Sequence, residues 1–244
     1  MSLANIFDNL KVIYHLVKPN KGKTHQERLE NFYKEQAQYY DAFRKTLLKG
    51  REDLFESLVT DAEGIWIDMG GGTGANFECI AKQLNKFQKI YIVDLSTSLL
   101  EIAQQRIAKN KWNNVETIER DVTQFVPLEG AADVVTFSYS LSMMENWFEI
   151  IDRAYQLLKP GGVIGVVDFY VSRKHPEPDF VSHSWLTRNF WTIWFATDNV
   201  FLSPDRLAYL HYRFDKVTRI EKMAKLSFPP GFKAPYYLFI GRKN

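Results

Sequence analysis

From Trp66 to Gly74 the chain reads Trp-Ile-Asp-Met-Gly-Gly-Gly-Thr-Gly. Asp68 sets a carboxylate near the end of an apolar run, and the chain then turns through Gly70, Gly71, Gly72, Thr73 and Gly74. Glycines accept positive φ and let a ligand approach the backbone closely. A helix starting at such a turn presents unpaired N–H groups, which favour a negatively charged ligand group. A second apolar run ends at Asp94, where a carboxylate can accept both hydroxyls of a ribose. The chemistry suited to these residues is the holding of a nucleoside. Gly70, Gly72 and Ala75 also satisfy the dinucleotide pattern G-x-G-x-x-G/A, so the turn alone leaves the nucleotide open.

These residues need a sheet to position them. Short apolar runs at 65–69, 89–93, 114–119, 133–138 and 162–169 alternate with helical stretches at 76–84, 98–110 and 147–158. That rhythm predicts a largely parallel sheet covered on both faces. Residues 121–126 read as a loop. The last two strands, 216–226 and 236–241, are expected to pair antiparallel. Ahead of the sheet, apolar spacing of three and four predicts helices at 3–17 and 25–49, with a third at 52–59. Residues 170–202 break the rhythm with Pro176, Pro178 and the cluster Trp185, Trp191 and Trp194, and read as an insertion over the sheet edge.

Composition narrows the classes. The 244 residues, 45% hydrophobic and 25% charged, suit one large globular domain. A net charge of +2 supplies no broad field for a nucleic-acid backbone. The single cysteine, Cys79, has no partner for an internal disulfide, which suits a reducing compartment. No apolar run approaches the length that crosses a bilayer, and the N-terminus lacks a signal-peptide pattern, so a cytoplasmic location is expected. No metal-ligand set is expected.

Further positions make the pattern specific. Asp121-Val122 follows the third strand, and Leu157-Leu158-Lys159-Pro160-Gly161-Gly162 precedes the fifth. Together with Asp68, the glycine turn, Asp94 and the closing antiparallel pair, these resemble class I S-adenosylmethionine-dependent methyltransferases. The resemblance implies an α/β, doubly wound, mostly parallel seven-stranded sheet of Rossmann-like type. It implies a helical cap over residues 1–60 and a methyltransferase domain over 61–244, with an aromatic-rich helical insertion at about 170–215. It also implies S-adenosylmethionine as cofactor. Asp68, Gly70, Gly72, Thr73 and Gly74 would face its methionine part, Asp94 with Leu95 its ribose, and Asp121 with Val122 its adenine. Ser138 would lie near the reactive methyl, and Tyr40 over the cofactor.

Methyl transfer from a sulfonium is an in-line displacement, so holding the reactants in line can supply much of the rate. Tyr139, Asp168 and Tyr170, at or just past strand ends, are the candidates to assist an acceptor's proton; for Asp168 an ion pair or a turn cap is the alternative. Several strings resemble the methyltransferase part of betaine-lipid synthases. They are Phe32-Tyr33 with Gln36-Ala37 and Tyr40-Asp41, Val134 to Ser140, Val166 to Arg173, His183 to Arg188, Leu202 to Asp205 and Ala234 to Tyr237. This resemblance implies N-methylation of a diacylglyceryl-homoserine-type lipid amine at a membrane surface. Nothing in the chain resembles the region that attaches the aminocarboxypropyl group, so a separate transferase would supply the substrate.

On that reading Tyr33, Trp185 and Trp191 are candidates to contact the substrate. Arg44, Arg173 and Arg188 are candidates for the headgroup carboxylate, as Arg51 is. The alternative for the aromatics is the core of a helical cap, and for Tyr33 and Tyr40 simple helix packing. The helix at 3–17 either lies on a membrane, with Lys11, Lys18, Lys21 and Lys23 near anionic headgroups, or caps its own domain or a subunit interface. Other readings are a phosphatidylethanolamine N-methyltransferase, a quinone C-methyltransferase, a cofactor-binding module without turnover, and a nicotinamide oxidoreductase.

Overall fold

The computed structural model describes residues 27, 30, 47–59, 63–197, 199–226 and 231–244. The helices expected at 3–17 and 25–49, with Tyr33, Tyr40 and Arg44, lie almost wholly outside them. Among the described residues seven strands form one sheet: β1 (Gly64–Met69), β2 (Phe87–Asp94), β3 (Val115–Glu119), β4 (Ala132–Ser138), β5 (Leu158–Phe169), β6 (Asp215–Lys225) and β7 (Lys233–Arg242). Their order is β3-β2-β1-β4-β5-β7-β6. β1 to β5 pair in parallel, and β7 is antiparallel to both β5 and β6. The order reverses between β1 and β4, and in open α/β sheets ligands bind at such a switch point, beyond the carboxyl ends of the strands.

Burial explains the sequence pattern. β1, β4 and β5 are buried along most of their length because helices cover both faces, so they read as continuous apolar runs. One face packs against α1 (Arg51–Leu58), the 3-10 helix Ala75–Lys86, α2 (Thr97–Asn110) and α4 (Trp185–Ala196). The other face packs against α3 (Trp147–Leu157) and α5 (Arg206–Arg213). α2 starts at Ser96, whose hydroxyl accepts from the Leu99 N–H at 3.4 Å, and ends at Lys111 in the left-handed region.

Three local readings are corrected. The stretch expected as an ordinary helix at 76–84 is a 3-10 helix, broken at Ile80. Leu158 opens β5 rather than ending a helix; Lys159 precedes Pro160, and the residue before proline avoids the helical region. α5 lies in a segment read only as insertion, although Ser203-Pro204-Asp205 ahead of it is a helix-start signal. No helix among the described residues is long and apolar enough to cross a membrane.

Candidate functional site

The glycine turn follows directly from β1. Gly70 and Gly71 donate their N–H groups to the Val93 carbonyl at 2.8 and 3.3 Å, which ties the turn to the end of β2. Gly70 has φ +70, and a side chain there would bring its Cβ within 2.5 Å of the Ser140 Cβ. The turn therefore needs glycine twice over, for its dihedral and for the approach of the loop after β4. Gly74, at φ +67, starts the 3-10 helix.

Asp68 is completely buried beneath this turn. It accepts from the Thr136 hydroxyl at 2.7 Å and from the Asn76 amide at 3.3 Å, while Thr136 accepts from the Trp66 indole N–H at 2.9 Å. Asp68 thus braces the turn from below. Thr73 is buried beside it.

Asp94 stands at the other side of the turn. One carboxylate oxygen accepts from the Gly72 N–H at 2.9 Å and the other from the Ser96 N–H at 2.9 Å. Ser96 in turn donates its hydroxyl to Glu30 at 2.8 Å. Asp121 accepts from the Thr123 N–H at 2.8 Å and from its hydroxyl at 2.6 Å, folding the loop after β3 back toward the cleft.

These parts enclose a cleft of about 360 Å³, within the size range of small-molecule sites. Of the residues singled out from sequence, Gly70, Gly72, Asp94, Leu95, Asp121, Val122 and Tyr139 line it. Sequence reading missed Leu99, Thr123, Ser140, Met143, Met144, Glu145, Asn146, Glu149 and Ile150, which complete the lining among the described residues. Most of them follow β4, and their position just past the fourth strand was the available signal. Among the described residues every charged side chain on the lining, Asp94, Asp121, Glu145 and Glu149, is acidic.

Tyr139 is the one candidate for proton transfer on the wall of the cleft. It has φ +54, and its hydroxyl donates to the Lys49 carbonyl at 2.7 Å. Burial, and next to it the negative field of Asp168, push its phenol well above the ordinary value. Its hydroxyl is engaged by the Lys49 carbonyl, and Tyr139 lines the cleft.

Asp168 is fully buried and off the cleft lining. It accepts from the Ser142 N–H at 2.7 Å and the Phe169 N–H at 2.8 Å. Burial raises its pKa, against the opposing pull of Arg206. Ser142 also accepts from the Phe201 N–H at 2.8 Å, and Arg206 donates to the Phe201 carbonyl at 2.5 Å. Arg206, which sequence reading missed, thereby joins Asp168 in holding the loop after β4.

Tyr170 lies off the cleft lining. Its side chain turns to the other sheet face, where the hydroxyl donates to Glu221 at 2.6 Å and the ring meets Tyr237 and His183. Burial first, and then the Glu221 carboxylate, raise its pKa. Ser138 is buried just below the cleft, and its hydroxyl has no hydrogen-bond partner.

The predicted substrate contacts also scatter. Arg173 pairs with Asp205 at 2.8 Å on the surface, and Arg188 donates to the Arg173 carbonyl at 3.3 Å. Arg51 bonds Asn76 at 3.4 Å. None of the three lines the cleft. Trp185 is exposed, and Trp191 is buried in the core beneath α4. Attractive residue types in one stretch of sequence are thus dispersed, because a helix sends successive side chains to different faces.

The geometry fits S-adenosylmethionine. The glycine turn leaves no room for a Cβ at Gly70, Asp94 offers carboxylate oxygens at the end of β2 beside the turn, and Leu95, Leu99 and Val122 form an apolar side for a flat base. Acidic lining complements a sulfonium cation.

Comparison with known proteins agrees. Residues 67–164 match the family described as Methyltransferase domain. The chain is 24% identical over 136 residues to the ubiquinone/menaquinone biosynthesis C-methyltransferase UbiE of Hydrogenovibrio crunogenus, covering 53% of this chain and 54% of that one. It is 23% identical over 151 residues to the demethylmenaquinone methyltransferase of Lactococcus lactis, covering 60% of each. The match thus spans little more than half the length of these relatives.

Among solved structures, the Haemonchus contortus phospholethanolamine N-methyltransferase 2, in complex with phosphomonomethylethanolamine and S-adenosylhomocysteine, superposes with a TM-score of 0.66 at 14% identity. The superposition covers 91% of this chain and 60% of that one. The [4+2]-cyclase SpnF gives 0.64 at 16% identity, covering 93% and 99%. At these identities the likeness is one of fold, and SpnF illustrates that one fold hosts more than one chemistry. Residues 67–164 thus match a methyltransferase domain, on a fold and around a cleft that suit S-adenosylmethionine.

Proposed function

We propose that the protein methylates the amine of a lipid, converting a diacylglyceryl-homoserine-type headgroup toward a betaine at a membrane surface. The observation that carries this reading is the charge of the cleft: Asp94, Asp121, Glu145 and Glu149 line it, and no lysine or arginine does among the described residues. Such a wall favours a cationic headgroup and its quaternary product over an anionic acceptor.

In this reading Asp94 holds the ribose hydroxyls, and the Gly70 to Gly72 turn takes the methionine end. Leu95, Leu99 and Val122 flank the adenine. S-adenosylmethionine supplies an electrophilic methyl group on a sulfonium. Ser140, Met143 and Tyr139 then set the approach of the amine. The nitrogen must present a free lone pair, and the nearby sulfonium disfavours the ammonium form. The released proton passes to water at the mouth, where Glu145 and Glu149 are exposed. Arg44 remains the candidate for the headgroup carboxylate, and a separate enzyme would attach the aminocarboxypropyl group.

The curated relatives favour a second reading, C-methylation of a quinone ring, since one is named a ubiquinone/menaquinone biosynthesis C-methyltransferase and another a demethylmenaquinone methyltransferase. Met143, Met144 and Ile150 give the cleft an apolar side that such a ring would use. Purified protein with methyl-labelled cofactor is assayed against homoserine lipid, phosphatidylethanolamine and demethylmenaquinol. Label in the homoserine lipid, reduced by Glu145→Gln with Glu149→Gln, is expected. Label in the quinol alone replaces the first reading with the second.

A further inference from the structure

The outward arc of α4 inverts the pattern of a helix lying on a water-soluble protein. Trp185, Leu186, Asn189, Phe190, Ile193, Trp194 and Ala196 fall on one half of the helical wheel, while Trp191 and Phe195 face the core. Trp185 is 70% exposed, Leu186 67% and Ile193 69%. The arc carries no charged residue. Phe190 stacks on Trp194 at 5.8 Å and meets Phe232 of the β6–β7 hairpin at 5.7 Å, so the apolar surface continues beyond the helix. Contiguous exposed apolar surface of this kind marks an interaction site.

We infer that this arc docks the protein on an anionic lipid bilayer. Charge around the patch identifies the occupant. Lys233 follows Phe232 directly, and it pairs across the hairpin with Lys225; both lysines are exposed. An uncharged arc with a tryptophan toward each end, beside a pair of lysines, matches an interface in which indoles sit at headgroup level and ammonium groups meet lipid phosphates.

The inner side of the same helix connects to the cleft wall through one intervening ring. Phe195 stacks on Phe169 at 4.4 Å, and Phe169 packs on Tyr139 of the cleft wall at 4.6 Å. The docking arc and the cleft therefore share one rigid aromatic support. This inference rests on the lipid-substrate reading for its purpose, and on α4 alone for its physics.

The test uses the full chain without substrate or cofactor, floated with phosphatidylglycerol/phosphatidylcholine vesicles and with pure phosphatidylcholine vesicles. Flotation is expected with the anionic vesicles and should weaken with salt. Leu186→Glu with Ile193→Glu, two outward positions, should cut it about tenfold, as should Lys225→Glu with Lys233→Glu. The thermal midpoint should stay unchanged in both variants. Equal flotation of wild type and variants overturns the inference. So does loss, in the Leu186/Ile193 variant, of a concentration-dependent dimer by light scattering without vesicle binding, since the arc would then be covered by a second copy. If the protein floats as expected yet methylates no lipid, the substrate reading fails while the docking stands. Methylation of detergent-dispersed lipid without flotation does the reverse.

Discussion

The backbone N–H of Ser142 donates to the carboxylate of Asp168 at 2.7 Å, and this contact ties the wall of the cleft to the central sheet. Asp168 sits near the end of β5, whereas Ser142 belongs to the loop that sends Ser140, Met143 and Met144 to the cleft. Arg206 completes the tie from α5 through the Phe201 carbonyl, and its positive charge offsets the cost of burying the carboxylate.

Asp168→Asn keeps the size of the side chain but removes the charge opposing the buried Arg206. An amide can accept from only one of the Ser142 and Phe169 N–H groups, which reach different carboxylate oxygens, so the expected loss is about 1.5 to 3 kcal/mol of stability, the scale for a hydrogen bond to a charged group. Calorimetric titration of S-adenosylhomocysteine, well below the melting range, separates wall from fold. Weakened affinity in the folded variant supports the positioning role, and unchanged affinity leaves Asp168 as a stability residue only.

Asp94→Ala removes the carboxylate proposed for the ribose and leaves the Gly72 N–H without its partner. Hydrogen bonds to a charged group contribute about 1.5 to 3 kcal/mol. S-adenosylhomocysteine should therefore bind about tenfold to a hundredfold more weakly, with Asn restoring part of the loss. An unchanged Kd in the same titration would remove Asp94 from the cofactor site.

His211 gives the fold a pH dependence remote from the cleft. Its ring lies between Phe180 at 5.0 Å and Phe239 at 5.1 Å, and its Nε2 is buried without a partner. Burial first, then the charges of Arg219 and Lys216, bring its pKa down from 6.5 to about 4. Between those values the unfolded chain binds a proton that the folded chain refuses, so stability is full above 6.5 and falls as pH drops toward 4. Thermal midpoints measured from neutral pH to pH 4 should show this fall, and His211→Phe should flatten it. An identical slope in that variant assigns the acid sensitivity to other groups.

What the sequence determined by itself was local in origin. Apolar runs closed by Asp68 and Asp94 named β1 and β2, because buried parallel strands have no polar face to disguise them. The glycine turn was legible because few other residues satisfy its dihedrals and its close contacts. Those signals, with Asp121 and Val122, located the side of the cleft that Gly70, Gly72, Asp94, Asp121 and Val122 form.

The tertiary structure decided everything that depends on which face a side chain takes and what lies opposite. Tyr139 and Tyr170 are both tyrosines at strand ends, yet one lines the cleft and the other bonds Glu221 across the sheet. Asp168 became a brace only because Ser142 and Arg206, remote from it along the chain, arrive beside it. The tryptophans of α4 divide between core and surface according to a helical phase that the packing of Trp191 and Phe195 fixes. Strand and turn preferences act over a few residues, whereas these assignments rest on contacts between distant segments, which exist only once the sheet has formed.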